Sequence, residues 1–88
     1  MRLTFLTRAY CHLCDDMLAA LEPLARDLGF TVTVLDVDAD PALEARWNEA
    51  VPVLATADGV EICRHVLDRA RLESVLSAQP RGRADLLE

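Results

Sequence analysis

Lysine is absent from this 88-residue chain: its nine basic residues are all arginine. We read that as a habit of codon composition without functional content. Positive charge is scarce in any form, because 15 Asp and Glu residues leave a net charge of −6 at pH 7. Such a chain lacks the basic patches on which nucleic-acid binding depends, so nucleic acid is excluded as a partner. Long apolar runs are missing as well. None approaches the ~18 residues of a membrane span, and Met1-Arg2 runs straight into strand-like sequence with no apolar targeting core or small-residue cleavage site. The expectation is a cytoplasmic protein with no membrane partner. In that compartment thiols are kept reduced, and a cysteine pair points to catalysis or metal binding before a structural disulfide. Neither a repeat nor a second domain is visible. The 52 % apolar composition supplies one small core.

Most of the chemistry lies in Cys11-His12-Leu13-Cys14, which follows the short apolar run Leu3-Thr4-Phe5-Leu6-Thr7. A helical pattern opens at His12 and continues to about Leu28, with Leu13, Met17, Leu21, Leu24 and Leu28 recurring at i+3 and i+4 as an expected core-facing stripe. Pro23 should kink this helix near Ala19 to Glu22, and Gly29 should stop it. The first thiol therefore sits at a helix N-terminus, beside unpaired N–H groups and the positive end of the dipole. That setting favours the thiolate, which is the nucleophile. The second thiol lies one turn inward, within reach to close a disulfide. Cys-x-x-Cys beside a β-α-β pattern reads as a thioredoxin-like redox motif.

Further along, Thr31 to Leu35 is β-branched and reads as a second strand. Asp40-Pro41 starts a second helix to about Glu49. Val51 to Thr56 reads as a third strand with Pro52 at its start, and Asp58-Gly59 as a hairpin turn into a fourth strand, Val60 to Arg64. Asp68 caps a last helix from Arg69 to about Ser77. The domain is expected over residues 1–78, with 79–88 a flexible tail. Asp36, Asp38 and Asp40 alternate as in a calcium loop, but Pro41 and Trp47 stand where such a loop needs Gly and Glu, so they are read as loop acids and a helix cap.

The order β-α-β-α-β-β-α, with Cys11/Cys14 after the first strand, Val51-Pro52 opening the third and a short hairpin before the last helix, resembles the thioredoxin fold in its glutaredoxin form. The expected fold is α/β, a four-stranded mixed sheet with three flanking helices. The resemblance implies a thiol-disulfide oxidoreductase in which Cys11 is the nucleophile and Cys14 the resolving thiol. It further implies a cis bond before Pro52 facing the cysteines, an open Val51 backbone that pairs with substrate, a basic contact at Arg8, and a ligand contact at Asp68. Tyr10 and His12, beside Cys11, join this substrate-binding set. Arg8 and the helix dipole favour the Cys11 thiolate, while Asp15 and Asp16 oppose it. Cys63 is read as a core bystander and His65 as a surface residue near the rim.

Two departures from the resembled family stand out. His12-Leu13 replaces the usual Pro-aromatic insert, and His65-Val66 replaces a Gly-Gly pair that helps to hold glutathione. Their Cβ atoms crowd a backbone approach that glycine permits. The expected partners are a thiol or disulfide substrate, protein or glutathione, acting on a monomer. No tightly bound cofactor or metal is expected, and glutathione is the candidate co-substrate. Two alternatives stand beside this reading: metal or iron–sulfur handling through the same cysteines, and a redox-silent binding module that keeps the fold alone.

Overall fold

The first strand, β1 (Arg2–Thr7), alternates so that Leu3 and Phe5 point to one side of the sheet and Leu6 to the other, all of them buried. The computed structural model describes residues 1–78. From β1 the chain enters α1 (His12–Leu28), returns as β2 (Thr31–Asp36), makes a 3₁₀ turn over Val37–Ala39 and then forms α2 (Pro41–Trp47). A hairpin of β3 (Val53–Thr56) and β4 (Glu61–Arg64) follows, and α3 (Arg69–Ala78) closes the described chain. The expected element order and four-stranded mixed sheet are found. The sheet order is β2-β1-β3-β4, with β1 parallel to β2, and β3 antiparallel to both β1 and β4. The expected tail at 79–88 lies outside the described residues.

The sheet is apolar on both faces. On one, Leu3, Phe5, Leu54 and Cys63 pack under Met17, Leu21 and Leu24 of α1 and Leu72 of α3. On the other, Leu6, Val53 and Ala55 meet Val37, Trp47 and Ala50. Register explains the sorting: Phe5 lies opposite Val34 on one side and Leu54 on the other, and Leu54 lies opposite Cys63. Directly paired residues share a face, so this row crosses the whole sheet. The core-facing stripe of α1 is Cys14, Met17, Leu21 and Leu24. Leu13 and Leu28 depart from the expected stripe and are exposed, one in each terminal turn of the helix. The α-helix is continuous through Pro23.

Several boundaries move by one or two residues, as helix and strand ends commonly do. β3 begins at Val53, two residues after the expected start, and α2 ends at Trp47, two before the expected end. The Asp40 carboxylate caps α2 by accepting the Ala42 N–H at 2.9 Å. Asp36 likewise accepts the Asp38 N–H at 2.8 Å, so these acids are spent on chain turns. Gly29 ends α1 at φ 78°, a left-handed conformation open to glycine without the Cβ penalty, and its N–H bonds Ala25 O. On the hairpin, Arg46 stacks on Trp47 and donates to Gly59 O at 2.8 Å, tying α2 to the β3–β4 turn.

Candidate redox site

Cys11 is the N-cap of α1, and its Sγ accepts the backbone N–H of Cys14 at 3.1 Å. The two residues have Cα atoms 5.1 Å apart and form a disulfide. Their burial is unequal. Cys14 is 1 % exposed and packs into the sheet core, whereas Cys11 is only partly covered. A partner can therefore reach Cys11, while Cys14 lies on its inner side. In the reduced state the Cys14 N–H and the helix dipole both aim positive potential at Cys11 Sγ, which favours the thiolate.

The Val51-Pro52 peptide is cis. Pro52 O accepts the His65 N–H at 2.8 Å, joining the start of β3 to the turn after β4. Val51 packs against the same core cluster as Cys11. Among the described residues, Val51 makes no backbone hydrogen bond to the rest of the chain. Its N–H and C=O are free to pair with an extended segment, as an edge strand does.

Tyr10 is wholly exposed and sits at φ 60°. His65 sits at φ 68°, also left-handed. A side chain in this region costs roughly 1–2 kcal/mol relative to its ordinary conformations. Glycine forgoes that cost but is destabilised by its own chain entropy, by roughly 0.5–1 kcal/mol. His65→Gly is therefore expected to leave stability unchanged or raise it by up to about 1.5 kcal/mol, read as the urea midpoint. A loss above that size would show that the imidazole holds the turn.

Arg8 turns away from the simple picture of a cation held for the thiolate. Its Nε and Nη2 donate to the Asp38 carboxylate at 3.2 and 2.8 Å, and Nη1 and Nη2 donate to Asn48 O and Oδ1 at 3.1 and 2.7 Å. These bonds tie the β1–α1 loop to the 3₁₀ turn and to the end of α2. The guanidinium holds the Asp38 carboxyl below its usual range, chiefly through the hydrogen bond. A carboxylate depressed in the folded state adds stability above its unfolded pKa, and that part is lost as pH falls through the folded value. Asp38→Asn should therefore flatten the acid limb of the stability profile below about pH 4, with a small amplitude because the pair is exposed. The difference in urea midpoint between neutral and acid pH reads this out.

On the far side of the site, the Asp68 carboxylate accepts the Arg71 N–H at 3.0 Å, which is the expected cap of α3. Asp68 also lines an open groove of about 530 Å³ together with Ile62, Cys63, Arg64, Val66 and Arg71. Cys63 is free and buried, and burial pushes its thiol up from its ordinary value, partly offset by the Asp68 backbone N–H. The oxidised protein should show one thiol that reacts slowly with a chromogenic disulfide reagent when native and promptly in denaturant. Prompt native labelling would contradict the burial. His12 is exposed on the first turn of α1. Among the described residues, no three His, Cys, Asp or Glu side chains cluster as metal ligands, and no helix is long and apolar enough to cross a membrane.

Sequence reasoning found the cysteine pair, Pro52 and the two helix caps. It missed Asn48 and the pairing of Asp38 with Arg8, since nothing local marks residues 30 and 40 positions away as partners. It also missed the left-handed backbone at His65, for which the only local signal is the turn that must join β4 to α3.

Comparison with known proteins bears on the same features. The family model described as glutaredoxin-like domain (DUF836) matches residues 2–77. A solution structure of a Nitrosomonas europaea protein is 32 % identical, with 84 % of this chain and 88 % of that chain covered and a TM-score of 0.74. A crystal structure of an X. campestris protein is 38 % identical, covering 89 % of this chain and 99 % of that one, with a TM-score of 0.65. Thioredoxin 1 of Thermosipho africanus is 21 % identical, covers 88 % of this chain and 96 % of that one, and shares the fold at a TM-score of 0.62. No curated protein matches the sequence.

Proposed function

The chain belongs to the glutaredoxin-like (DUF836) family, and from that premise we propose that it is a dithiol thiol-disulfide oxidoreductase. One observation carries the reading: a disulfide at the N-cap of α1 with one reachable sulfur and one buried sulfur. In the reducing direction the Cys11 thiolate attacks one sulfur of a substrate disulfide. A mixed disulfide forms, and the other substrate sulfur leaves as a thiolate and takes a proton. The Cys14 thiol gives up its proton and attacks Cys11 Sγ, which releases the second substrate thiol and leaves Cys11–Cys14 oxidised. Two electrons have passed to the substrate. An external thiol, such as glutathione or the dithiol of a reductase, reverses the sequence and resets the pair.

The remaining candidates fall into supporting roles. The Val51 backbone pairs with the segment that carries the substrate sulfur, and Pro52 keeps that edge open. Tyr10 and His12 border the approach to Cys11. Asp68 offers a contact at the groove. Arg8 acts as a positioning residue, holding the loop before Cys11. This chemistry needs no bound cofactor and no second copy of the chain. It suits the cytoplasm, where the reduced pair is maintained.

The test is a redox titration of the pair in glutathione buffers, read by thiol alkylation and mass. A midpoint between roughly −270 and −120 mV falls among known thioredoxin-like oxidoreductases. A pair that never closes in any buffer ratio would sink the reading and favour metal handling or a silent fold.

A further inference from the structure

The end of the sheet that carries the disulfide is acidic. β1 and β2 finish there side by side, at Thr7 and Asp36, and the antiparallel pairings place the start of β3 and the end of β4 at the same edge. The loops at 8–11, 36–40, 48–52 and 65–68 therefore converge on the first turn of α1. Their carboxylates include Asp15 and Asp16 on α1, Asp36 and Asp40 around the 3₁₀ turn, and Asp68 at the start of α3, all of them exposed. The nearby cations are largely committed: Arg8 to Asp38, Arg64 to Glu61 and Arg69 to Glu73. Arg71 sits in the groove beside Asp68.

Asp15 stands one helical turn from the chemistry. Its N–H donates to Cys11 O at 3.1 Å, so it lies one helical turn above Cys11 on the same side of the helix. Between these acids the surface is apolar, with exposed Tyr10, Leu13 and Val66. At Cys11 Sγ an approaching thiolate meets the positive helix end, and around it carboxylates and hydrocarbon. Any further negative charge on the incoming molecule is repelled, and a positive one is attracted.

We infer that this site selects its partner by charge: it takes a protein cysteine carried beside Lys or Arg and an apolar residue, in preference to anionic small thiols such as glutathione. This rests on the oxidoreductase reading above. The step that reports it is reduction of the protein disulfide by a simple thiol. A thiolate attacks Cys11 Sγ, and Cys14 leaves as a thiolate and takes a proton. A second thiolate attacks the mixed disulfide, giving the oxidised small molecule and the Cys11 thiol. Two small thiols are oxidised and the protein disulfide is reduced by two electrons.

The experiment compares cysteamine, 2-mercaptoethanol and 3-mercaptopropionate, which are cationic, neutral and anionic. Rates of reduction of the oxidised protein are taken per thiolate, at about pH 8. Each rate is divided by that of the same thiol with hydroxyethyl disulfide, which removes intrinsic reactivity. The expected order is cationic, neutral, anionic, spanning about five- to tenfold at low ionic strength, the scale of a few exposed charges. The span should collapse near 1 M salt, where the screening length falls to about 3 Å. It should also narrow in Asp15→Asn/Asp16→Asn, whose side chains are exposed, with the fold of the double variant checked by its urea midpoint. Equal normalised rates, an anionic thiol in the lead, or a span that ignores both salt and the double substitution would overturn charge selection while leaving the oxidoreductase reading in place. A disulfide that none of the three thiols reduces would bring down both.

Discussion

Cys11→Ser is expected to lower disulfide exchange by about 10³-fold or more, the scale on which loss of a nucleophile acts in enzymes. A hydroxyl cannot form the mixed disulfide, and Cys14, 1 % exposed on the sheet-facing side of α1, cannot reach a partner in its place. Cys14→Ser should behave differently. Cys11 still attacks, but the buried group that completes the cycle is gone, so the mixed disulfide accumulates and is visible by mass. The pair of variants separates the two roles better than either alone. Full turnover in Cys11→Ser would remove the assignment. Equal loss of the covalent intermediate in both variants would remove the division of labour read from their unequal burial.

The second large effect concerns the sheet that holds this site. Phe5→Ala should cost about 3–5 kcal/mol. Phe5 is fully buried on β1, an inner strand, where Leu54 flanks it and α1 covers it. A domain of this size has only about 5–10 kcal/mol of stability in total, so the variant should be marginal at body temperature. Trp47, the sole tryptophan, is buried against the other face of the sheet and reports unfolding by fluorescence. The urea midpoint should fall steeply with little change in slope. Val34→Ala is the contrast. Val34 lies opposite Phe5 in the same row, but on the edge strand and exposed, so its loss should cost under about 1 kcal/mol. Similar costs at the two positions would mean that the burial difference across this row is wrong.

Those two residues also show where sequence reasoning holds and where it fails. Phe5 and Val34 both lie in short β-prone runs, and alternation alone suits either to a core. Strand order separates them: β2 is at the edge of the sheet, so one of its flanks and much of its surface meet water. Leu13 and Leu28 fail in the same way. They obey the helical period that marks Met17, Leu21 and Leu24, yet only the middle of the stripe is buried.

The motifs that sequence carried correctly are short in range. The Cys-x-x-Cys spacing, the caps at Asp40 and Asp68 and the stop at Gly29 each involve atoms within one helical turn, where backbone geometry fixes who meets whom. The clasp of Arg8 on Asp38 and Asn48, the bond from His65 to Pro52 and the gathering of acids at one end of the sheet depend on strands that meet after crossing the molecule. No local spacing encodes those meetings. They follow from burying both faces of one sheet at once, and that packing gives the cysteine pair one inner sulfur and one outer sulfur.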